Sequence, residues 1–504
     1  MTLRLLTCLV AAASLALPCL ADPAVQGPEK VQDWYEAGNR FIADSKAIHH
    51  QRHHARNVIL FVGDGMGIST QTAARILEGQ LKGGPGEENR LSFETMPFSA
   101  LSKTYSWDQQ TPDSAPTMTA MVTGYKTREG MLSVSQLATR GDCDAQRIQQ
   151  FSLPTILELA AANGRATGVV STARLTHATP AATYSHTPVR DWEADANQPA
   201  NCGVKDIARQ LIEVSPAVRA SLKVALGGGR SYFLPKTADD PEYGTSKGRR
   251  NDGRNLAQEW VQTRGPRATY AWNKAQFDAA DPAKSDYLLG LFEPSHMQYE
   301  ADRANDPAGE PSLTEMTDKA IRMLQKHPKG YFLHVEGGRI DHAHHAGNAR
   351  RALLETIELS NAVRRAMELT RDQDTLILVT ADHSHVFTIA GYPHRGNDIL
   401  GLVQDVPDVD GAPLANARDA RGLPYTTLGY QNGPGHRGPG ARPDLSNVDT
   451  AKPEFLQEAA VPLSGETHGG EDVAIWARGP KAHLVHGSME QNWIFHVMRE
   501  AFGF

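Results

Sequence analysis

The chain has 504 residues, of which 40% are hydrophobic and 22% are charged. This composition is that of a folded globular protein and excludes wholesale disorder, and the length allows one large α/β domain or two to three ordinary domains. The formal net charge of −7 and the lack of a basic run argue against nucleic acid as the main partner.

The N-terminal segment MTLRLLTCLVAAASLALPCLA combines a single arginine (Arg4), a short apolar run and a small residue before Asp22. That layout predicts a signal peptide over residues 1–21, removed on export, so that the mature protein is periplasmic or secreted. No later run of about 18 apolar residues follows, and the chain ends without a hydrophobic tail, so we expect no membrane anchor.

Two of the four cysteines lie within the predicted signal peptide, which leaves Cys143 and Cys202. An even number of cysteines in an exported protein favours one disulfide bond. The alternative is a pair of buried free thiols.

The first predicted element after the signal peptide is a helix at residues 30–50. Trp34, Ala37, Phe41 and Ile48 recur at the spacing of one helix face. A helix that precedes the main domain packs either on a partner subunit or on its own core, and the sequence leaves both alternatives open.

Strand–turn–helix units then recur along the chain. Apolar runs that end in glycine or polar residues occur in NVILFVGDGMG, ATGVVSTARLTHA, YFLHVEGGRIDHAHH, TLILVTADHSH and EDVAIWARG. Continuous apolar strands that alternate with helices predict an α/β fold, with a large, mostly parallel central sheet and helices on both faces. Ligands bind such sheets outside the carboxyl ends of the strands, and there the sequence collects Asp64, His177, Glu336 and Asp382.

Two stretches, residues 235–311 and 395–465, depart from this pattern because they are rich in Pro, Gly, Asp and Asn. We interpret both as loop-rich insertions into one domain that spans residues 22–504, since neither has the character of a linker between independent folds. No internal repeat or low-complexity tract interrupts this domain.

The stretch HVEGGRIDHAHH at residues 334–345 holds two carboxylates and four histidines, a density of metal-ligand side chains that core packing does not require. Asp341 and His345 are four residues apart, so on a helix both side chains lie on one face and can share a metal ion. Carboxylate with imidazole suits zinc, and the alternative is a solvated, histidine-rich helix start.

Three further segments carry ligand-type residues at turns. ADHSH places Asp382 and His383 at the end of an apolar strand, where the neighbouring His385 is either a ligand or a support for one. GDG places Asp64 between glycines that let a metal approach the backbone, although a turn explains that pattern about as often. ETHGGED supplies His468 before the last strand.

A candidate nucleophile, Ser114, stands in TPDSAPTMTAMVTG, before small residues that predict a helix. The dipole and free amides of a helix N-terminus favour an alkoxide and a phosphate at this position. A serine there is more commonly an N-cap, and no Ser-x-Gly elbow indicates a hydrolase triad.

Six motifs occur in the order GDGMG, PDSAPT, THATPAATYSHTPVRDW, VEGGRIDHAHH, TADHSHVFTIAGYP and ETHGGED, and together they closely resemble the alkaline phosphatases. The resemblance is nearest to the branch that includes the animal enzymes, and it runs from about residue 30 to the C-terminal helix, through both insertions. It implies an alkaline phosphatase-like fold and an enzyme that hydrolyses phosphate monoesters through a phosphoserine on Ser114.

The resemblance also implies two zinc ions and one magnesium ion. The ligands are Asp341, His345 and His468 for the first zinc, Asp382, His383 and Ser114 for the second, and Thr179, Glu336 and a bridging Asp64 for the magnesium. Animal-type enzymes have serine in place of Thr179. His177 and His342 match the animal-type pattern beside these ligands, Arg190 matches the arginine that clamps the substrate, and Asp113 would orient it.

The expected charges balance. Three divalent cations bring +6, and the carboxylates of Asp64, Glu336, Asp341 and Asp382 bring −4, so the remainder of +2 matches a phosphate monoester dianion. The planar fork of Arg190 can pair with two phosphoryl oxygens. Two zinc ions about 4 Å apart can stabilise the attacking and the leaving oxygen on opposite sides of phosphorus.

Within the first insertion, Glu242, Phe292, Glu293 and Glu310 match a calcium site of the animal-type enzymes. Those enzymes have aspartate at the last position, and two extra residues precede it here. A bound calcium ion is therefore a further expectation of the resemblance.

Cys143 and Cys202 match a disulfide of the same branch, whereas its second disulfide and its lipid-anchor tail are missing. The N-terminal helix and the insertion at 395–465 resemble elements that pack across the animal-type interface, the insertion as a crown-like region. The resemblance therefore implies a homodimer.

Three other functions share some of these features. A sulfatase of the same superfamily needs arginine four residues after its nucleophile, where this chain has Met118. A phosphodiesterase of the superfamily usually has a threonine nucleophile and lacks the arginine clamp, whereas this chain has Ser114 and Arg190. An exported zinc-sequestering protein, which is not an enzyme, leaves both of these residues unexplained.

Overall fold

The structure, a computed structural model, describes residues 30–438, 440 and 442–504, and the predicted signal peptide lies outside these ranges. The strands are β1 (Asn57–Gly63), β2 (Phe98–Lys103), β3 (Ala166–Arg174), β4 (Leu222–Gly228), β5 (Ala268–Ala271), β6 (Tyr287–Leu291), β7 (Tyr331–Gly337), β8 (Thr375–Ala381), β9 (Ser384–His385), β10 (Phe387–Ile389), β11 (Gln404–Asp405), β12 (Ala415–Asn416), β13 (Leu428–Gly433), β14 (Ala459–Pro462), β15 (His468–Gly469), β16 (Val473–Arg478) and β17 (Ser488–Glu490). The helices are α1 (Val31–Ala47), α2 (Ile68–Leu81), α3 (Ser114–Thr123), α4 (Ala145–Phe151), α5 (Ile156–Ala162), α6 (Ala178–Ala181), α7 (Ile207–Ile212), α8 (Pro216–Ser221), α9 (Arg230–Phe233), α10 (Leu256–Arg264), α11 (Lys274–Ala279), α12 (Leu313–Leu324), α13 (Arg339–His345), α14 (Ala349–Leu369) and α15 (Trp493–Phe502). Within the described ranges, no helix combines the length and the apolarity that crossing a bilayer requires.

One large sheet forms the centre of the molecule. Its ten strands follow the order β17-β2-β16-β8-β1-β7-β3-β4-β6-β5. All neighbouring pairs from β8 to β5 run parallel, whereas β16 is antiparallel to both of its neighbours. The predicted α/β fold with a large, mostly parallel sheet is thereby confirmed.

The central strands are buried on both faces, and their sequences are therefore continuous apolar runs instead of alternating ones. In β1, Val58 and Leu60 pack into one hydrophobic core, and Ile59 and Phe61 pack into the other. Helices α3, α5, α10 and α15 contribute to the first core, and α2, α12 and α14 contribute to the second. With both faces covered, the carboxyl ends of the strands are left for a functional site.

The two stretches that we interpreted as insertions differ in their relation to the sheet. Residues 235–311 contain long loops, but they also supply β5 and β6, which form the edge of the central sheet beyond β4. Residues 395–465 instead form structure outside that sheet, where β13 pairs with both β10 and β14, and β11 pairs with β12.

Helix α1 forms within the predicted range and exposes large apolar side chains. Trp34, Tyr35, Phe41 and Ile42 are 58%, 70%, 62% and 51% exposed. Side chains this exposed are not packed on the core of their own chain. Of the two alternatives that the sequence left open, packing on a partner is the one that this exposure favours.

Cys143 and Cys202 form a disulfide bond, as expected. Both cysteines pack against a small hydrophobic cluster that includes Met131, Ile148 and Trp192. The bond therefore closes a satellite core that is separate from the two cores of the sheet.

Candidate active site

The ends of four adjacent strands supply the centre of the site. Asp64 follows β1, Glu336 lies near the end of β7, Asp382 follows β8, and His177 follows β3 after a short turn. Because β8, β1, β7 and β3 are neighbours in the sheet, these side chains meet at one edge. The three carboxylates are each 0% exposed.

Ser114 is the first residue of α3, and its hydroxyl faces this group of carboxylates. Its Oγ lies 3.4 Å from each carboxylate oxygen of Asp64 and 3.4 Å from Nε2 of His383. Asp113 caps the helix, because its Oδ1 accepts a hydrogen bond of 2.6 Å from the backbone N of Ser114. The Ser114 hydroxyl is therefore not the helix cap and remains available for chemistry.

Asp341, His345 and His468 meet at the mouth of the site. Helix α13 places Asp341 and His345 on one face, with Oδ1 of Asp341 3.2 Å from Nε2 of His345. The same oxygen lies 3.3 Å from Nε2 of His468, which comes from β15. The side chain of His345 is 39% exposed, and a cavity of about 470 Å³ lies against it, His468 and Asp113.

A carboxylate that the sequence analysis did not assign, Glu466, holds two of the histidines. Its Oε2 lies 2.6 Å from Nδ1 of His385, and its backbone oxygen lies 2.5 Å from Nδ1 of His345. His385 in turn places Nε2 3.0 Å from Oδ1 of Asp341. Glu466 stands two residues before His468 in ETHGGED. That short spacing between two ligand-type residues is the sequence feature that could have identified Glu466 as part of the site.

The other two expected ligand groups share Asp64. Ligand atoms of Asp64, Asp382 and His383 lie within 4.8 Å of one another, and so do those of Asp64, His177 and Glu336. The second zinc group and the magnesium group of the sequence analysis thus have one carboxylate in common, as a bridging role for Asp64 requires.

Two hydroxyl groups donate hydrogen bonds to the carboxylates of Asp64 and Glu336. Thr179 donates from Oγ1 to Asp64 at 3.4 Å. Ser171, which lies on β3, donates a short hydrogen bond to Oε2 of Glu336. Ser171 was not predicted, because a single serine inside an apolar strand carries no ligand pattern.

Burial and mutual repulsion shift the pKa values of these carboxylates. Burial, followed by the charge of Asp382, raises the pKa of Asp64 well above its usual value. Burial likewise raises the pKa of Glu336 to about 8 and that of Asp382 to about 6. Burial also acts on Asp341, but three facing histidines outweigh it and hold the Asp341 pKa well below its usual value.

Arg190 lies beside the nucleophile. Its guanidinium forms an ion pair with Asp113, the residue that precedes Ser114. Burial works against the charged form of Asp113, yet Arg190, together with His468, His383 and the backbone N–H of Ser114, outweighs it and holds the Asp113 pKa far below its usual value. Asp113 is therefore ionised at any pH of interest, and it fixes one side of the arginine fork.

The second contact of Arg190 constrains the tautomer of His177. Nη2 of Arg190 lies 3.1 Å from Nε2 of His177, and because a guanidinium only donates, Nε2 must accept. The proton of the neutral ring then sits on Nδ1, which is buried and bonded to no group of the described chain. A metal ligand needs a free lone pair. A neutral His177 therefore cannot accept from Arg190 and bind a metal ion at the same time.

The other two histidines of α13 point away from the Asp341 group, as helix geometry requires. His344 contacts Thr70 and Tyr430, with ring nitrogens 3.0 Å and 2.8 Å from their hydroxyl oxygens. The ring of His342 lies 5.3 Å from that of His177. His342 therefore lies beside His177, on the side of the site where magnesium was expected.

Two of the expected calcium ligands, Glu242 and Glu293, form a separate acidic cluster with Asp306, defined here as these three residues, whose oxygens lie within 4.8 Å of one another. Asp306 was not predicted. Glu310 lies just outside, where burial and the charges of Glu293 and Asp306 raise its pKa to about 9. The carbonyl oxygen of Phe292, another expected ligand, accepts a hydrogen bond of 3.1 Å from Arg230.

The donor set of the main centre fits divalent cations. Oε1 of Glu336 and Oδ2 of Asp382 are buried, and no group of the described chain donates to them. A bound cation can relieve the repulsion between such carboxylates, which solvent does not reach. Carboxylate with imidazole suits zinc, and the oxygen-rich set of Asp64, Thr179 and Glu336 suits magnesium. A parallel α/β sheet that presents this centre beside a serine and an arginine defines a metal-dependent phosphotransfer enzyme.

Comparisons with known proteins define the family. The family model for alkaline phosphatase matches residues 55–504. The tissue-nonspecific alkaline phosphatase of Gallus gallus is 47% identical over 487 residues, which cover 94% of this chain and 90% of the relative. The tissue-nonspecific isozyme of Homo sapiens is 47% identical over 456 residues, which cover 89% and 83%. The chain belongs to the alkaline phosphatase family, and the predicted resemblance to the animal-type branch and the predicted enzyme class are confirmed.

Two solved structures share the fold. The alkaline phosphatase from the Antarctic bacterium TAB5 has 22% sequence identity and a TM-score of 0.61, and the match covers 90% of this chain and 99% of that one. The Thermus thermophilus alkaline phosphatase has 24% identity and a TM-score of 0.62, with 90% and 92% covered.

We predict that the metal-free protein loses stability as the pH rises from about 4 to about 8. The folded-state pKa values of Asp382, about 6, and Glu336, about 8, lie above the values near 4 of an unfolded chain, so the folded state binds more protons in this range. Their contribution is full below about pH 4 and is lost as the pH passes through the folded pKa values. Thermal unfolding of chelated protein should show a Tm that falls towards pH 9.

The matched variant for this prediction is Glu336→Gln, which removes the group with the higher of the two pKa values. In the metal-free variant the Tm should fall less between pH 7 and 9 than in the wild type. A metal-free wild type whose Tm rises between pH 6 and 9 contradicts the pKa assignments.

Proposed function

We propose that the protein hydrolyses phosphate monoesters through a phosphoserine on Ser114, with two zinc ions and one magnesium ion. The observation that carries the proposal is the position of Ser114 Oγ, 3.4 Å from both Asp64 and His383, next to the residue that holds Arg190. A hydroxyl among metal ligands and beside an anion clamp suits chemistry at phosphorus. Metal sequestration would need neither the serine nor the arginine.

The proposed ligand groups are those of the sequence analysis: Asp341, His345 and His468 for the first zinc, Asp382, His383 and Ser114 for the second, and Asp64, Thr179 and Glu336 for the magnesium. Bound there, the cations would supply positive charge that stabilises the attacking and leaving oxygens. Their support comes from the short distances among Asp341, His345 and His468, from the two converging groups that share Asp64, and from the unpartnered oxygens of Glu336 and Asp382.

The groups of the chain itself orient the reactants. Ser114 stands at the N-terminus of the ten-residue helix α3, whose dipole and free amides favour an alkoxide and an attached phosphoryl group. Ser114 Oγ attacks phosphorus, and the substrate's alcohol leaves with a proton. Water then displaces the serine from phosphorus, which releases phosphate and returns the hydroxyl. Arg190, fixed by Asp113, turns its remaining donors to the non-bridging oxygens.

Replacing the nucleophile tests this proposal. Ser114→Ala should abolish phosphoenzyme formation and lower turnover by about two orders of magnitude or more, with zinc content largely unchanged. Acid-quenched labelling with an aryl phosphate and metal analysis measure both. Ser488→Ala, on an exposed strand position, serves as the control and should behave as wild type. Full activity of Ser114→Ala contradicts the assignment, whereas slow residual hydrolysis does not.

Replacing the clamp distinguishes monoesters from diesters. Arg190→Ala should lower kcat/KM for an aryl monoester about a hundredfold and for the diester about tenfold or less, since a diester offers only one charged non-bridging oxygen. Arg190→Lys keeps the charge but loses the fork, so it should recover only part of the monoester activity. Equal losses on both substrates show that Arg190 is not the clamp. An aryl sulfate assayed alongside tests the sulfatase alternative.

Replacing His177 tests the third metal site. An aspartate there brings oxygen ligands and a negative charge, both of which magnesium prefers, and it can still accept from Arg190 with its second oxygen. His177→Asp should therefore tighten magnesium binding about tenfold and reduce inhibition by excess zinc. Titration followed by calorimetry measures the affinity, and equal affinities in wild type and variant contradict this account. For the TAB5 enzyme, histidine-to-aspartate and histidine-to-glutamate mutants with magnesium in an M3 site have been solved.

We also propose that the acidic cluster holds calcium. Three carboxylates with oxygens within 4.8 Å repel one another unless a cation lies between them, and hard oxygen ligands suit calcium. Burial and neighbouring acids raise the pKa values of Glu293 and Asp306, so a cation that binds there would compete with protons.

We propose finally that the protein is exported and acts as a homodimer. The residue pattern at 1–21, which lies outside the described residues, and the disulfide at Cys143 support export. The exposed apolar face of α1 supports a partner subunit. The intact mass of the exported protein should match a chain that begins at Asp22, and light scattering at micromolar concentration should give twice that mass. A monomeric mass contradicts the dimer.

A further inference from the structure

We infer that His296 is a positioning residue for the phosphate clamp: it fixes His177, through it the guanidinium of Arg190, and it ties both to the acidic cluster. The inference deepens the proposed function and rests on it. His296 lies in the loop after β6, three residues beyond Glu293, and it belongs to none of the converging metal-ligand groups of the described chain.

The ring of His296 packs between two other imidazoles. Its centroid lies 5.3 Å from that of His177, with the ring planes 81° apart, and 4.0 Å from that of His342. Edge-on packing of this kind restrains rotation of the His177 ring. Because Nε2 of His177 accepts from Arg190 at 3.1 Å, rotation of that ring would remove one of the two contacts that orient the guanidinium.

Arg174 fixes His296 from the opposite side. Its Nη1 lies 2.5 Å from Nε2 of His296 and donates to it. Both oxygens of Glu193 bind the same guanidinium at 2.7 Å, and Glu193 also accepts from Thr176 at 2.6 Å. The position of Arg174 is thus fixed. Its hydrogen bond restrains the ring of His296, and that ring in turn packs against His177.

The loop that carries His296 is anchored by the acidic cluster on both sides. Glu293 is a member of the cluster. Gln298, two residues after His296, donates from Nε2 to Glu293 at 2.9 Å and from its backbone N to Glu310 at 2.9 Å. A change in the position of Glu293 therefore acts on both ends of the segment that presents the imidazole.

The same loop cannot shift towards the sheet to absorb such a change. The carbonyl oxygen of Ser295 accepts from the backbone N of Gly229 at 2.6 Å, and the backbone N of Met297 donates to Thr172 at 3.0 Å. A Cβ at Gly228 would lie 2.1 Å from the Ser295 oxygen, so the backbones already approach as closely as glycine permits. Repulsion within the acidic cluster therefore affects the position of His296, and so does the relief of that repulsion by a cation.

The first experiment compares His296→Ala and His296→Gln in the metal-loaded enzyme. Loss of the imidazole loosens the clamp in the ground and transition states alike, so His296→Ala should raise KM for an aryl monoester about tenfold and change kcat less than about twofold. The inhibition constant of inorganic phosphate should rise in the same ratio, and the preference for monoester over diester should fall. His296→Gln keeps an acceptor for Arg174 and should recover most of the loss.

Asn305→Ala, at an exposed position of the same loop, is the control and should match the wild type in all of these measurements. An unchanged KM in His296→Ala overturns the inference. So does a loss of kcat accompanied by lower zinc content or a lower Tm, because those changes indicate a structural role only.

The second experiment tests the link to the acidic cluster. Calcium added to chelated, zinc- and magnesium-reloaded wild type should lower KM, and it should leave the KM of His296→Ala unchanged although calorimetry still detects calcium binding. Introduced into the wild type, Glu293→Gln should raise KM. Introduced into His296→Ala, the same substitution should raise KM no further. Additive effects of the two substitutions overturn the link.

The outcomes separate this inference from the proposed function. If the wild type forms no phosphoenzyme, the proposed function fails whatever His296 does. If the phosphoenzyme forms and both His296 variants bind phosphate as the wild type does, only the positioning role is overturned.

Discussion

The confinement of like charges at the ends of adjacent strands is the constraint on which the rest of the structure depends. Asp64, Glu336 and Asp382 are fully buried, and Asp341 is nearly so. A parallel sheet that is covered on both faces gives its side chains no route to solvent. The carboxylates therefore cannot lower their energy by moving apart or by hydration, and either a proton or a bound cation must compensate the charge.

The cationic and imidazole groups around the centre offset the charge of some of these carboxylates and not of others. Three histidines face Asp341 and lower its pKa, and Arg190 does the same for Asp113. At Asp64 and Glu336 the effect of burial is not offset in this way, and their pKa values are raised. The chain thus compensates the carboxylates at the mouth with its own side chains and leaves the deepest ones for metal ions.

The residues that sequence could predict are those whose role is local. Asp64 and Asp382 follow apolar strands directly, and Asp341 and His345 share a helix face by spacing alone. Ser171, Glu466 and His296 escaped prediction because each acts through a partner from a distant part of the chain. No periodicity in their own segments records such a contact. The resemblance to a family pointed to the edge of the sheet where the candidate site lies. It did not identify the residues that hold the ligand side chains in place.

Two elements of the fold show the same limit. Strand β5 has only four residues, too few for a period of two to be recognised among the surrounding Pro, Gly and Asp residues. In the acidic cluster, Asp306 lies with Glu242 and Glu293 although the resemblance did not point to it, because loop conformation and not sequence position decides which carboxylate turns inward. The formation of strand β5 and the choice of carboxylate in the cluster both depend on burial and on long-range pairing. Neither burial nor long-range pairing can be derived from the spacing of residues along a sequence.

The antiparallel strand β16, inserted between β8 and β2, has a bearing on how the protein is made. It follows directly on the segment that carries His468, so the ligand group begun by Asp341 and His345 is completed from almost the far end of the chain. During synthesis the parallel half of the sheet can assemble early, but the mouth of the site stays open until the final strands dock. A chain truncated before residue 468 would keep most of the sheet and still lack the group that closes the centre. Appearance of activity therefore reports that the segment carrying His468 has been synthesised and that the strands beside it have docked.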